Sequence, residues 1–507
     1  MCRRNVPGAR PAARVSLVSA RRGRPTVTGL SPDGDQAAAQ PSKVFRVIVG
    51  RAGGATADQY VTSMGYRKLR DLSTFGFVAE VPGQGIAGLG SNPGVRWVTI
   101  DAPVAATGKT TTTSTTIDAS KLGTVYPQTL SAPALWNAGV TGKGVGIAVV
   151  DTGVNDALAD FKTSTGQSRV VATVKTNAAA TALADGHGHG THVAGVALGN
   201  SWAQASTSAT RGEYVGVAPG ANLVAVQVSD DQGTAYASDV IVGIEWVIAN
   251  RATYNIRVLN LSLLSTVAES AATSYLDAAV ERAWLSGILV VVAAGNLGPG
   301  TALYPPANDP FVITVGASDP VGTTSRTDDG MAPWSSYGTT QDGYAKPDVV
   351  APGRFVASNL ASATSVLALQ FPLRLTDPGY LWLSGTSAAA PMVAGAAALA
   401  FERHPEWTND AVKWLLMGTA TKLGGKSPLP GQGAGLVDAA KAATYAGTPG
   451  VANSGLPISG QLTGPDGAVT YTSSSWSSSS WSTSSWSSSS WSTTSGTSSS
   501  GSFVPVE

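Results

Sequence analysis

Three short stretches hold the side chains with chemistry to offer. In "WLSGTSAAAPMVAG", Trp382–Gly395, the hydroxyls of Ser384, Thr386 and Ser387 crowd the mouth of an apolar, helix-like run. Pro391 follows early enough to sit in a first turn, where a missing N–H is tolerated. Ser387 therefore lies near a helix N-terminus, where free N–H groups and the dipole favour developing negative charge. Capping is the commonest work for hydroxyls there, so this stretch alone does not decide the matter. In "DGHGHGTHVAG" stand His187, His189 and His192, three of the chain's four histidines. Imidazole is a frequent metal ligand, but the run lacks the H-E-x-x-H pattern and any cysteine support. In "GVGIAVVDTGV" an apolar strand runs into Asp151, which reads equally as a cap or a cation ligand.

Together the three change meaning. The order Asp, His, Ser along the chain is one of the known orders of a serine triad. A serine hydroxyl is a poor nucleophile until an adjacent base takes its proton. An imidazole with an ordinary pKa near 6.5 can do so around neutrality. "VVDTG", "HGTHVAG" and "GTSAAAP", with "VVAAGN" ending at Asn296, closely resemble the signatures of subtilisin-like serine peptidases, the subtilases, over about residues 126–446.

That resemblance implies roles. Ser387 is the nucleophile, His189 the general base and then acid, and Asp151 the orienting carboxylate. Asn296 donates to the oxyanion beside the Ser387 N–H, and His192 packs as a structural histidine. The strand edge around Ser262, Leu263 and Leu264 pairs with peptide substrate. Gly295, Leu297 and Leu303 stand where pocket-lining residues are expected, and the three leucines point to an apolar first subsite. Leu264 replaces a usual glycine, Ala388 a usual methionine and Met392 a usual histidine. No cofactor is required; Asp160 matches a family calcium ligand, but the loop "GNSWAQASTSATRGEY" does not match the family's calcium loop, so calcium as a structural ion stays open. The expected activity is a self-processing serine endopeptidase, its partners being protein substrates and its own propeptide. The alternative is a catalytically silent peptide-binding relative. Secretion is implied as well.

The elements that must position these residues are legible too. "GVGIAVVD", "ANLVAVQVSD", "RVLNLSL", "GILVVVAAGN" and "VITVGA" have no polar face, as expected of strands buried on both sides. Helical patterns alternate with them, which predicts an α/β domain over 126–446 with a mostly parallel sheet and helices on both faces. Before it, 43–104 reads as a small α+β unit, with a helix at Thr56–Met64 and Phe75, Phe77, Ala79 and Val81 alternating as a strand. This unit resembles the ferredoxin-like inhibitory propeptide of subtilases, which implies self-cleavage between about Val104 and Gly123. A Thr/Ser-rich linker is expected over 105–125. Residues 1–42 read as a disordered basic leader without the apolar centre of a standard signal peptide. Residues 447–507 read as a disordered tail, with Trp476, Trp481, Trp486 and Trp491 recurring every five residues. The chain is 43% hydrophobic with a formal charge of +1, which gives no reason to expect nucleic acid. Its single cysteine, Cys2, excludes an internal disulfide. No apolar run reaches membrane-spanning length.

Overall fold

The computed structural model describes residues 29–106 and 125–463, apart from positions 32, 33, 35, 36, 39, 53–55, 73, 74, 164, 182 and 183. The N-terminal unit contains β1 (Gly29–Leu30), β2 (Val44–Arg51), α1 (Thr56–Ser63), β3 (Arg67–Leu72), β4 (Gly76–Pro82), α2 (Gly83–Gly90) and β5 (Val95–Ile100). Its sheet order is β1-β5-β2-β4-β3, and all pairs but β1–β5 are antiparallel. Strand alternation divides its apolar residues between two faces. Val47, Val49, Phe77 and Ala79 pack with Val61, Ile86 and Leu89 into a core of the unit's own. Ile48, Leu72 and Val78 instead join the large core of the rest of the chain.

After β6 (Pro103–Ala106), the second unit is built on β7 (Gly146–Asp151), β8 (Val170–Lys175), α3 (His189–Leu198), β9 (Asn222–Gln227), β10 (Ala235–Tyr236), α4 (Ala237–Asn250), β11 (Ile256–Leu261), β12 (Leu263–Ser265), α5 (Tyr275–Leu285), β13 (Leu289–Ala293), β14 (Ile313–Asp319), β15 (Gly330–Met331), β16 (Val349–Pro352) and α6 (Thr386–Arg403). The large sheet runs β15-β14-β13-β11-β7-β9-β8, and β16 also pairs with β14. Every pair is parallel except β14–β15. Each residue of β7 and β13 is buried, the double-sided burial that their apolar runs predict.

The domain limits differ from the sequence expectation. Ser31 and Ala37 are buried, and β1 pairs with β5, so the small unit starts before residue 43. Val47–Gly50 and the strands around it are fastened by sheet bonds, but β1 is announced only by a dipeptide, too short to carry a pattern. Ala105 and Ala106, expected in the linker, belong to β6; of the other linker residues only Val125 is described, and 107–124 lie outside the described residues. At the other end, 447–463 pack onto the second unit: Leu462 is buried, the Ser459 N–H donates to Glu281 and the Gln461 side chain donates to the Thr273 carbonyl. Residues 1–28 of the expected leader and 464–507, with the Ser/Trp repeats, lie outside the described residues.

The two units meet at helix ends. Asp101 accepts from the backbone N–H and the hydroxyl of Ser238 at 2.9 and 2.8 Å, in the first turn of α4. A carboxylate there meets unsatisfied N–H groups and the positive end of the helix dipole. Arg70 pairs with Asp239 in the same turn, and the Phe75 ring packs tilted against Tyr275 of α5, their centroids 5.5 Å apart. Arg96 donates to the carbonyls of Gly460 and Thr463, so the C-terminal segment touches both units.

Candidate active site

Parallel strands deliver their C-terminal ends to one edge of the sheet, where crevices form. Asp151 ends β7, Ser262 follows β11 and Asn296 follows β13, so three of the expected residues arrive at the same edge from neighbouring strands. His189 and Ser387 come from the first turns of α3 and α6, two helices that pack together.

His189 Nδ1 lies 2.8 Å from Asp151 Oδ1, and both side chains are buried. A carboxylate only accepts, so Nδ1 carries the proton and Nε2 is left with the lone pair. Nε2 is buried and has no hydrogen-bond partner among the described residues. Burial lowers the affinity of this ring for a proton; the Asp151 charge and hydrogen bond, helped by the Asp185 charge, outweigh it and leave the pKa raised above the ordinary histidine value. His192, three residues on, behaves oppositely. Burial drives its pKa down to about 3, and its Nε2 bonds the Val356 carbonyl at 3.0 Å. His187 is buried with its ring 6.3 Å from that of His189. The histidines thus do not gather around a common ligand point.

Asp185 escaped the sequence reading. Its carboxylate accepts from Gly188 N and Thr152 Oγ1 on one oxygen, and from Thr191 N and Thr191 Oγ1 on the other, at 2.7 to 2.8 Å. The Thr152 hydroxyl in turn accepts from Gly190 N at 2.9 Å, and Thr152 N donates to Asp151 Oδ1 at 2.7 Å. One buried acid therefore ties the start of α3 to the end of β7, fixing His189 relative to Asp151. An acidic residue just ahead of a helix start was the available signal. Gly190 is required for this approach, because a Cβ there would stand 2.1 Å from the Gly153 carbonyl oxygen.

Ser387 is buried in the first turn of α6, flanked by Thr386. Asn296 Oδ1 accepts from both the N–H and the hydroxyl of Thr386, each at 3.0 Å. The backbone donor fixes which end of the amide is oxygen. Asn296 Nδ2 is then turned the other way, buried and without a partner among the described residues. Ser384 Oγ receives the Phe355 N–H, so it shapes the turn. Pro391 cannot return an N–H to the carbonyl four residues earlier, that of Ser387. Ser262 Oγ supplies the missing bond at 2.9 Å, which clamps the junction of β11 and β12 to the serine.

That edge is occupied. β6 lies antiparallel to β12, with Val104 opposite Ser265, Ala105 opposite Leu264 and Ala106 opposite Leu263, and it pairs with β10 on its other side. An added strand held by main-chain bonds is a standard way of binding extended peptide. Leu263 is fully buried and Leu264 nearly so, whereas Leu297 is 53% exposed. Leu303 bonds through its carbonyl to Gln341. The atoms nearest to where a Cβ on Gly295 would sit come from Leu264 and Ser336, neither Leu297 nor Leu303 being among them.

Asp160 does not fit a calcium ion. Gln204 donates to its Oδ1 at 2.7 Å, and Asn359 and the Tyr380 hydroxyl donate to its Oδ2 at 2.9 and 2.6 Å. Beside it, buried Arg169 donates to the carbonyls of Asp160, Lys162, Leu198 and Ala221. A guanidinium thus fills a ring of carbonyls, one of them on the last residue of α3, where the dipole is negative. Among the described residues, no helix is long and apolar enough to cross a membrane.

Comparison with known proteins agrees with this geometry. Residues 142–435 match the subtilase family. The chain is 36% identical over 306 residues to serine protease AprX of Bacillus subtilis (strain 168), covering 59% of this chain and 66% of the relative. It is 38% identical over 301 residues to subtilisin NAT of Bacillus subtilis subsp. natto, covering 58% and 65%. With subtilisin Savinase of Lederbergia lenta it shares 37% identity over 312 residues, 61% of this chain and 94% of the relative. The match thus spans just under two thirds of the length of the first two. With Asp151 against His189 at the sheet edge, Ser387 at the head of α6 and a family match across more than half its length, this chain belongs to the subtilase family of subtilisin-like serine peptidases.

Proposed function

We propose that the protein is a serine endopeptidase made as a precursor that cuts itself. One observation carries the reading: His189 is held through Nδ1 by Asp151, with Nε2 left unpartnered among the described residues, on a helix packed against the one that begins with Ser387. In this reading Nε2 takes the Ser387 proton as Oγ attacks the substrate carbonyl, and Asp151 stabilises the imidazolium. The oxyanion receives Asn296 Nδ2 and the Ser387 N–H at the positive end of α6. His189 then protonates the leaving amine, and water releases the acyl group by the reverse proton path.

β6 supports the precursor half of the reading. It fills the substrate edge, as a strand retained after cleavage would, and Asp101 and Arg70 anchor the unit behind it to α4. Ala106 stands opposite Leu263, one residue from Ser262, which bonds the Ser387 carbonyl. The first peptide bonds beyond Ala106 are therefore the expected cut, within the Val104–Gly123 window. Secretion, implied by the resemblance, belongs to the same proposal. The deciding experiment compares wild type with Ser387→Ala. Wild type releases the N-terminal unit, hydrolyses casein and is labelled stoichiometrically by a fluorophosphonate. The variant, folded by circular dichroism, does none of these; unchanged processing and casein hydrolysis in it would end the peptidase reading.

A further inference from the structure

β12 presents its side chains to alternate faces. Leu263 enters the core with no exposure, and Leu264 therefore faces the other way. Leu264 Cδ2 stands 2.8 Å from where a Cβ on Gly295 would sit, with Ser336 Oγ next at 3.1 Å. Gly295 immediately precedes Asn296, whose free amide is the oxyanion donor proposed above. The slot between β12 and the Gly295–Asn296 wall is thus filled by the end of a leucine side chain.

That slot has a defined use if the edge binds substrate as it binds β6. A substrate residue opposite Ser262 carries the carbonyl under attack, since Ser262 bonds the Ser387 carbonyl. Its carbonyl oxygen must reach Asn296 Nδ2, so its side chain leaves the backbone beside Gly295. We infer that Leu264 closes the first specificity pocket and restricts cleavage to sites following a small residue such as alanine, glycine, serine or threonine. This rests on the endopeptidase reading and replaces the expectation of an apolar first subsite lined by Leu264, Leu297 and Leu303. The chain's own sequence agrees: Val104-Ala105-Ala106 is continued by Thr107-Gly108, so the residues from Ala105 to Gly108 are all small.

The test uses self-processed enzyme and the peptides succinyl-Ala-Ala-Pro-X-p-nitroanilide, with X alanine, leucine or phenylalanine. Wild type is expected to favour alanine over phenylalanine by tenfold or more in kcat/KM. Leu264→Gly, and Leu264→Ala as a variant kinder to the strand, are expected to shift the Phe/Ala ratio toward phenylalanine by about 10- to 100-fold, the range set by apolar pocket contacts. A wild type that cleaves after phenylalanine as readily as after alanine would overturn the inference. So would an unchanged ratio in both folded variants. Loss of hydrolysis for every peptide together with loss of fluorophosphonate labelling in wild type would instead remove the endopeptidase reading, and this inference with it.

Discussion

Replacing Asp185 with asparagine probes the least obvious part of the site. Four donors converge on its two oxygens. Thr152 Oγ1 and Thr191 Oγ1 each already accept a backbone N–H, from Gly190 and Asn155, so their own protons point to Asp185. An amide offers one oxygen and turns an NH₂ toward the other two donors. Two buried donors then lose their acceptor, at about 1–3 kcal/mol each, or about 2–6 kcal/mol concentrated at the start of α3. Relaxation there moves His189 against Asp151. A displacement of about 1 Å costs on the order of 10²-fold in rate, so kcat is expected to fall about 100-fold with KM little changed. The pH profile separates this from plain destabilisation. Burial opposes protonation of His189, while the Asp151 and Asp185 charges favour it and win. Removing the Asp185 charge lowers the His189 pKa, so the acid limb of kcat/KM moves to lower pH. A folded D185N enzyme with kcat/KM within about threefold of wild type and an unmoved acid limb would show that Asp185 neither positions nor charges the histidine.

Two further outcomes follow from the same geometry. Asn296→Ala removes the proposed side-chain oxyanion donor; kcat should drop by about 10²–10³, a magnitude known from the corresponding change in a subtilisin, and p-nitroanilide kinetics would show it with KM nearly constant. Because Arg169 and the Gln204–Asn359–Tyr380 donors satisfy the Asp160 region, EDTA should move the thermal midpoint by no more than about 2 °C, whereas Arg169→Met, which leaves four carbonyls without their charged donor, should lower it by roughly 4–5 °C, as about 3 kcal/mol does in a domain of about 320 residues. A large chelator-induced drop in calorimetry would mean that a cation does the work assigned to the guanidinium.

The sheet was legible because its strands are buried on both faces. Runs such as Gly146–Val150 and Leu289–Ala293 have no polar side for a surface to take, so their pattern admits few alternatives. The edges of the units were not legible for the complementary reason. Gly29–Leu30 is too short to show a period, and the Ser459–Leu462 segment is fastened by Glu281 and Thr273, partners well over a hundred residues away. Local composition reads as loop in both places, and only tertiary contacts order them.

At the site, the difference lies between residues proposed to react and residues that arrange. Asp151, His189, Asn296 and Ser387 stand in contiguous runs whose glycines and small residues let backbones close up, as at Gly190, so their neighbourhood is written beside them in the sequence. Asp185 and Ser262 act through bonds to backbone groups. Asp185 holds the N–H groups at the head of α3, and Ser262 answers a carbonyl that Pro391 leaves unserved. Such partnerships leave no pattern in residue types, because any chain has those backbone groups. Leu264 marks the same limit for specificity. Its identity reads as one more apolar residue near a pocket, and only the 2.8 Å approach to the position of a Cβ on Gly295 turns a lining residue into a filling one. The fewer the side-chain atoms an arrangement uses, the less of it a sequence can display.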